Sequence, residues 1–566
     1  MLVAIAIKIE VVAVSRLNRR LLAAATIIMV AILSFAIAPG VARAADTGAI
    51  TVDGTVATRY DAYQLFSATV ADDDDADQKV ATDVTWANDA VRQAVLPVLH
   101  DAGLDSSAST AQSAAEWMNA DGHMTTALMA KLARSIVKAG AVSVALNAGA
   151  TAELPCGYWL VVADDDAIAQ GEAGTAPIMA LVGGSAVAVK PKAATPKVSK
   201  HVLEDSAAAW QKAADATVGD DLYWRLSATV PAGLTAYDTY TVRFVDTMSA
   251  GLDPSKVAAS MRVYVAAGAD GGFDAVSAGK DGRAGTEPAK GWTDITAQCA
   301  TEAAADGTFT VRTGDLIAAL GGADAFTAGA RVVAVYNAPL NGACSHGIAK
   351  GNPNEVYLRY PRSPFADQSG DAGFTRTPSD DACAYTWDLA FTKRGSDGDK
   401  PLAGAVLSIA DDRGRTLAAD GTWDAEGKAT VTTGEDGRVT VSGVDSGKLE
   451  VRELKAPKGY TAFEGTRSVT VKAEGLDVDQ VAAAKPKLTI TAESPLRADS
   501  ADGSTGSLEA SLINTPTGTP PSITTGGFMP STGDMAMYAA AAAAVAGAAL
   551  IVVALLVKRG GGSHKE

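Results

Sequence analysis

An almost unbroken apolar run from Met535 to Val557, closed by Lys558-Arg559, constrains this chain more than any other feature. Its 23 residues are enough to cross a hydrocarbon core of roughly 30 Å as a helix. The basic pair behind the run resists translocation, so the sequence predicts a cytoplasmic tail and the bulk of the chain on the far side of the membrane. The opposite end agrees. Arg16, Arg19 and Arg20 precede the apolar stretch Leu21 to Ala38, Pro39-Gly40 break it, and Ala42-Arg43-Ala44 supply the small-x-small pattern of a signal-peptidase site. The expectation is a leader over residues 1–44, with an uncleaved N-terminal membrane helix as the alternative. Residues 45–528 must then bury their own cores outside the cell, and that length predicts three or four domains.

Charge and motif content exclude several functions. A net charge of -17 argues against nucleic acid or an anionic membrane as partner. The runs Asp72–Asp75 and Asp164–Asp166 lack the alternating ligands and glycine of a calcium loop and read as solvated loops, so no metal is expected. Cys156, Cys299, Cys344 and Cys383 allow three pairings, among which the sequence does not choose. There is no CxxC, HExxH, P-loop or GxSxG pattern, so no cofactor and no conventional enzyme is expected.

Hydrophobic periodicity divides the middle of the chain into three units. Residues 45–192 read as mixed α and β, with strand-like alternation at Ala49–Val52 and "RYDAYQLFSATV", helical spacing in Ala87–His100 and Met124–Lys138, and an extended segment at Tyr158–Ala163. The Pro/Lys-rich joint at Lys190–Pro196 forbids a continuous helix. Residues 197–366 carry short strand candidates at Leu222–Thr229, Tyr240–Val245, Met261–Ala266, Arg331–Asn337 and Glu355–Tyr360, the pattern of a β-sandwich. Residues 384–516 repeat that pattern at Trp387–Lys393, Ala405–Ile409, Val439–Val441, Lys448–Leu454 and Arg467–Lys472. A polar Thr/Pro/Gly link over 517–528 leads to a C-terminal segment, 529–566.

Six local patterns carry a resemblance. "KPLAGAVLSI" and "ELKAPKGY" (Glu453 to Tyr460) look like signatures of Cna protein B-type domains of Gram-positive pilins and adhesins. "FVDTMSAGL" (Phe244 to Leu252) and "GNPNEVYLRY" (Gly351 to Tyr360) resemble the fimbrial isopeptide-formation D2 domain. "VAVKPK" (Val187 to Lys192) is similar to a pilin motif VxVYPK, with Lys190 in place of its tyrosine and Gly183 where an upstream aromatic would stand. Met529-Pro530-Ser531-Thr532-Gly533, set directly before the apolar run, resembles the cell-wall sorting signal LPxTG, with Met529 for leucine. Together they resemble a sortase-assembled major (backbone) pilin. The implied architecture is mainly β: tandem Ig-like, Cna-type sandwiches after a mixed α/β N-terminal domain, with a transmembrane sorting helix.

Two reactions follow from that resemblance. In the first, a buried lysine amine displaces ammonia from an asparagine amide, leaving an intramolecular isopeptide bond. Burial lowers a lysine pKa and raises that of a carboxyl beside it, which can then act as general acid and base. The family pattern places Lys393, Glu453 and Asn514 in these roles in the third unit. In the second unit it places Lys200, Asp246 and one asparagine of Gly351-Asn352-Pro353-Asn354, with Asn354 favoured over Asn352. The second reaction belongs to a sortase, which would cleave between Thr532 and Gly533 and pass Thr532 to Lys192 of another subunit. The implied partners are a sortase, further pilin subunits joined head to tail, peptidoglycan at the pilus base and a host ligand of unspecified identity, with the protein wall-anchored on the extracellular surface. The alternative is a monomeric wall-anchored adhesin or ancillary pilin that uses the same sorting signal without the acceptor lysine.

Overall fold

The structure, a computed structural model, describes residues 46–54, 56–72, 78–191, 195–231, 234–268, 291–303 and 306–518. The leader, Asp73–Asp75, Lys192, the link beyond Gly518 and the whole sorting segment, including Met529, Pro530, Ser531, Thr532 and Gly533, lie outside the described residues.

The first 140 or so of these residues set helices against a sheet. The strand Arg59–Asp72 alternates buried and open positions and pairs with Lys79–Trp86, Gly157–Ala163 and Val144–Asn147, and Ile178–Val182 extends the sheet. The expected helices are present as Asp89–Asp101 and Thr126–Lys138. Asn88 caps the first, its side chain accepting from Val91 N at 2.9 Å, and Thr125 caps the other. Leu128, Leu132 and Ile136 fall on one face at helical spacing and bury against Leu65, Phe66 and Leu160 of the sheet. A third helix, Ala111–Met118, is not predicted by the periodicity, because its buried face is mostly alanine. Val187–Val189 runs parallel to Thr47–Val52 in a separate three-stranded sheet, and Lys190 emerges from it exposed.

Residues 198–385 form a sandwich of a six-stranded and a seven-stranded sheet. The first has Val198–Glu204 between Ala209–Gln211 and Tyr223–Thr229, and Arg331–Asn337 pairs with the latter. The second has Asn352–Pro361 between Arg243–Met248 and Asp380–Tyr385. Inward residues of both sheets, among them Trp224, Leu226, Phe244, Tyr336 and Leu358, fill the space between them. The sheet thus continues past residue 366: the Gly/Asp/Ser-rich stretch 367–373 resembles a linker, yet Phe374–Arg376 and Asp380–Tyr385 return to pair with Asn352–Pro361.

Residues 387–516 form another two-sheet sandwich. Its first strand, Trp387–Gly395, lies parallel to its last, Ser507–Pro516, in register Lys393↔Leu512 and Gly395↔Asn514. The facing sheet contains Val406–Ala410, Gly447–Lys455 and Thr466–Glu474. Trp387, Phe391, Leu407, Val451, Val469 and Leu512 are buried between them. Polar ties join this sandwich to the one before it, among them two from Arg415 and Trp387. The Arg415 guanidinium donates to both carboxylate oxygens of Asp220, at 2.5 and 2.8 Å, and the Trp387 indole donates to Asp215 at 2.6 Å. The four cysteines form no disulfide.

Candidate functional site

Two groups of polar side chains stand out because they are sealed inside otherwise apolar sandwich cores, where unpaired charge is costly. The first draws on both sheets of the 198–385 sandwich. Lys200 lies on Val198–Glu204 in register with Leu226. Asp246 and Asn354 lie on adjacent strands of the opposite sheet, where Met248 faces Asn354 and Asp246 faces Val356, so the two are diagonal neighbours on one inward face. Lys200, Asp246 and Asn354 are all 0% exposed. Gly351 helps to put Asn354 there. It adopts φ +57, and a Cβ at that position would meet Cys383 Sγ at 2.5 Å and the Tyr385 ring at 2.7 Å, so only glycine lets the strand enter this close to its neighbour.

The Lys200 ammonium pairs directly with the Asp246 carboxylate. Burial pulls Lys200 down to about 8, against the opposing pull of Asp246, and burial likewise pushes the Asp246 carboxyl up. Both shifts act in the direction of a neutral amine beside a neutral acid, the form in which a lysine is a nucleophile. A fourth group, which the sequence reading did not single out, completes the set. The Tyr336 hydroxyl accepts from Lys200 Nζ at 3.0 Å and from Asn354 Nδ2 at 2.7 Å, and donates to Asp246 Oδ2 at 3.1 Å. Its strand, "RVVAVYN", is apolar and buried on both faces, so the one mark it carries in sequence is the phenol itself, which demands a partner when buried. Asn352, the alternative asparagine, is engaged elsewhere. Its amide donates to Ser345 O and Ala384 O at 2.9 and 3.2 Å, and its Oδ1 accepts from Ser345 N at 2.8 Å.

The second group lies in the 387–516 sandwich. Lys393 and Asn514 come from the parallel first and last strands, and Glu453 reaches them from the facing sheet. Their exposures are 1%, 2% and 6%. Lys393 Nζ donates to Asn514 Oδ1 and lies 3.3 Å from Glu453 Oε1, while Asn514 Nδ2 donates to the same Glu453 oxygen at 2.8 Å. The other oxygen, Oε2, accepts from Phe463 N at 3.1 Å, which fixes the carboxyl, and the Phe463 ring lies 5.7 Å from the amine. Burial lowers Lys393 to about 8 against the pull of Glu453. One carboxyl oxygen therefore reaches both the amine and the amide nitrogen.

That depressed value has a consequence for stability wherever Lys393 stays an amine, as it must in Asn514→Ala. Below its ordinary 10.5 the unfolded lysine holds its proton, while the folded one releases it near 8, so between these values the unfolded state binds more protons and stability rises with pH. Urea midpoints of Asn514→Ala should climb from about pH 8 to about pH 10.5, relative to Lys393→Met in the same series. Parallel or diverging-downward curves would contradict the buried, lowered lysine.

Residues 388–485 match the family model described as SpaA, prealbumin-like fold domain. A stretch of 143 residues is 31% identical to the trypsin-resistant surface T6 protein of Streptococcus pyogenes serotype M6, covering 24% of this chain and 24% of that protein. The match thus spans about a quarter of the curated relative's length. Among solved structures, the T6 backbone pilin of serotype M6 Streptococcus pyogenes aligns over 84% of this chain and 99% of its own, at 16% identity and a TM-score of 0.46. The full-length major pilin SpaD from Corynebacterium diphtheriae aligns over 83% and 97%, at 15% identity and a TM-score of 0.39. Lys393 and Glu453 fall within the segment that resembles the SpaA prealbumin-like fold domain, and Asn514 lies beyond it.

Proposed function

We propose that this protein is the structural backbone subunit of a covalently polymerised pilus on a Gram-positive cell surface, assembled by a sortase and braced by two intramolecular Lys–Asn isopeptide bonds. The observation that carries the reading is the pair of sealed lysine–carboxyl–asparagine groups, one of them with its lysine and carboxyl in the segment that resembles the SpaA domain. A stability role alone does not account for them, because a buried ion pair generally does no better than well-packed apolar side chains. A reaction that consumes the amine and amide does. At Lys393, Glu453 Oε1 takes a proton from the attacking amine and gives one to the departing Asn514 nitrogen, both within its reach.

The three units 45–192, 197–366 and 384–516, the second running on through the strand Asp380–Tyr385, would be set in series, with Lys192 as acceptor and the Thr532–Gly533 bond as the sortase's cleavage site. The order of the pilin-like motifs along the chain supports this arrangement. The protein itself is no enzyme beyond these single-turnover bonds. Its partners are the sortase, further copies of the chain, and peptidoglycan at the base, where the last subunit is held in the cell wall.

Two measurements test the reading. Wall extracts boiled in detergent should run as a high-molecular-weight ladder that Lys192→Ala abolishes; a single band in the unaltered strain would leave a monomeric wall-anchored adhesin or ancillary pilin. Intact mass of the purified chain should fall short of the sequence mass by about 34 Da, one ammonia of about 17 Da for each bond. An unshifted mass would remove both bonds.

A further inference from the structure

The two lysine sites differ in how the carboxyl reaches the leaving nitrogen. At Asn514 the amide nitrogen contacts Glu453 directly, at 2.8 Å. At Asn354 the hydrogen-bond partner of the amide nitrogen, among the described residues, is the Tyr336 hydroxyl at 2.7 Å. Asp246 Oδ2 touches Lys200 and Tyr336, and the tyrosine stands between acid and leaving group. Asp246 Oδ1 and Asn354 Oδ1 have no hydrogen-bond partner among the described residues. The phenol is 0% exposed and packs edge-on against Phe309 at a centroid distance of 4.9 Å, so bulk water does not compete for the role.

We infer that Tyr336 is a catalytic residue of the Lys200–Asn354 reaction, its hydroxyl passing a proton from Asp246 to the departing ammonia. The inference rests on the isopeptide reading of this site and deepens it. The step balances as follows. The neutral Lys200 amine forms the Nζ–Cγ bond to Asn354, and the carbonyl electrons move onto Oδ1. Protonated Asp246 gives its proton to the Tyr336 oxygen as the phenol gives its own to Nδ2, which now carries a lone pair. Asp246 recovers a proton from the cationic Nζ, the Oδ1 electrons re-form the carbonyl, and the Cγ–Nδ2 bond breaks to release ammonia. Acid and phenol end as they began, and an amide has replaced an amine and a primary amide. No such relay is needed at Lys393, which makes that site an internal control on the same chain.

The test follows both bonds in the full chain by intact mass and by mapping of joined tryptic peptides. The unaltered protein is mapped first: if its Lys200 and Asn354 peptides are unlinked, the isopeptide reading of the site falls, whatever tyrosine does. Given a linked site, Tyr336→Phe should slow that bond by about 100-fold or more, the contribution of a positioned general acid, while Lys393–Asn514 closes normally. Freshly made chain would then lack about 17 Da rather than about 34 Da. A Tyr336→Phe chain that closes both bonds as fast as the unaltered one overturns the inference. Because the substitution could unsettle the core, a second measurement keeps the size and hydrogen bonds of the ring. Chain synthesised in a cell-free system with 3-fluorotyrosine carries a more acidic phenol, and a relay predicts a changed closing rate at Lys200 alone. An unchanged rate there would assign Tyr336 to packing and overturn the relay.

Discussion

Asp246→Asn should lose the second-unit cross-link and leave that sandwich too weak to persist at body temperature. Two terms add. Lys200 is 0% exposed, and removing the charged partner of a buried ion costs about 3–5 kcal/mol. The missing bond would have closed a loop from residue 200 to residue 354, which constrains the unfolded chain by about 5 kcal/mol on the loop-entropy model. A domain's entire stability is about 5–15 kcal/mol, so the sum consumes most of it. Limited trypsin digestion should open the 198–385 region while the 387–516 sandwich survives, and the mass should fall short by about 17 Da instead of about 34 Da. A protease-resistant variant with the melting profile of the parent would refute both the burial argument and the cross-link.

Asn514→Ala is the matching change in the last sandwich, and it is expected to be gentler on the lysine but as costly in entropy. Glu453 remains 3.3 Å from Lys393, so the ammonium keeps a partner. The lost bond would have closed a separation of 121 residues, worth about 5 kcal/mol. For a unit of this size that corresponds to a fall of roughly 15–25 °C in its melting temperature. The two sites share no side chain, so the double variant Asn354→Ala with Asn514→Ala should show the two losses as a sum. Calorimetry resolves the transitions; a third-unit transition that does not move on Asn514→Ala would sink the idea that a closed loop braces it.

The sequence makes the chemistry of the Lys393 site more legible than that of the Lys200 site, for a topological reason. Lys393 and Glu453 sit beside recognisable turns, and Asn514 lies on the last strand before a Thr/Pro/Gly stretch, so each is marked by its neighbours in sequence. In the second unit, Asn352 and Asn354 share strand parity, so alternation cannot separate them. What separates them is the register Met248↔Asn354, a pairing between segments a hundred residues apart. Tyr336 escaped notice because its strand reads as ordinary sandwich core, and only the opposite sheet shows what its hydroxyl meets. The helix Ala111–Met118 was hidden by an alanine face that gives little contrast, and Asp380–Tyr385 by the turn-rich stretch before it. Most named strand candidates fall within a few residues of an observed strand, since burial on one face imposes alternation, but Tyr240–Val245 is displaced to Arg243–Met248 and Val198–Glu204 is not among them.

The parallel pairing of Trp387–Gly395 with Ser507–Pro516 has a consequence for how far a pulled chain could lengthen. Their parallel course sends the incoming and outgoing chain to opposite ends of the sandwich. Unravelled without a cross-link, the 121 residues from Lys393 to Asn514 would pay out about 400 Å, at roughly 3.4 Å each. With the bond closed, that slack is withheld, and the stretch from Lys200 to Asn354 withholds still more. Among the described residues ahead of Lys200, the buried polar and charged side chains come down to Thr175, so the described part of the first unit offers no comparable clasp. A filament of such subunits would be nearly inextensible over most of its length, with its spare length stored in that first, helix-bearing unit.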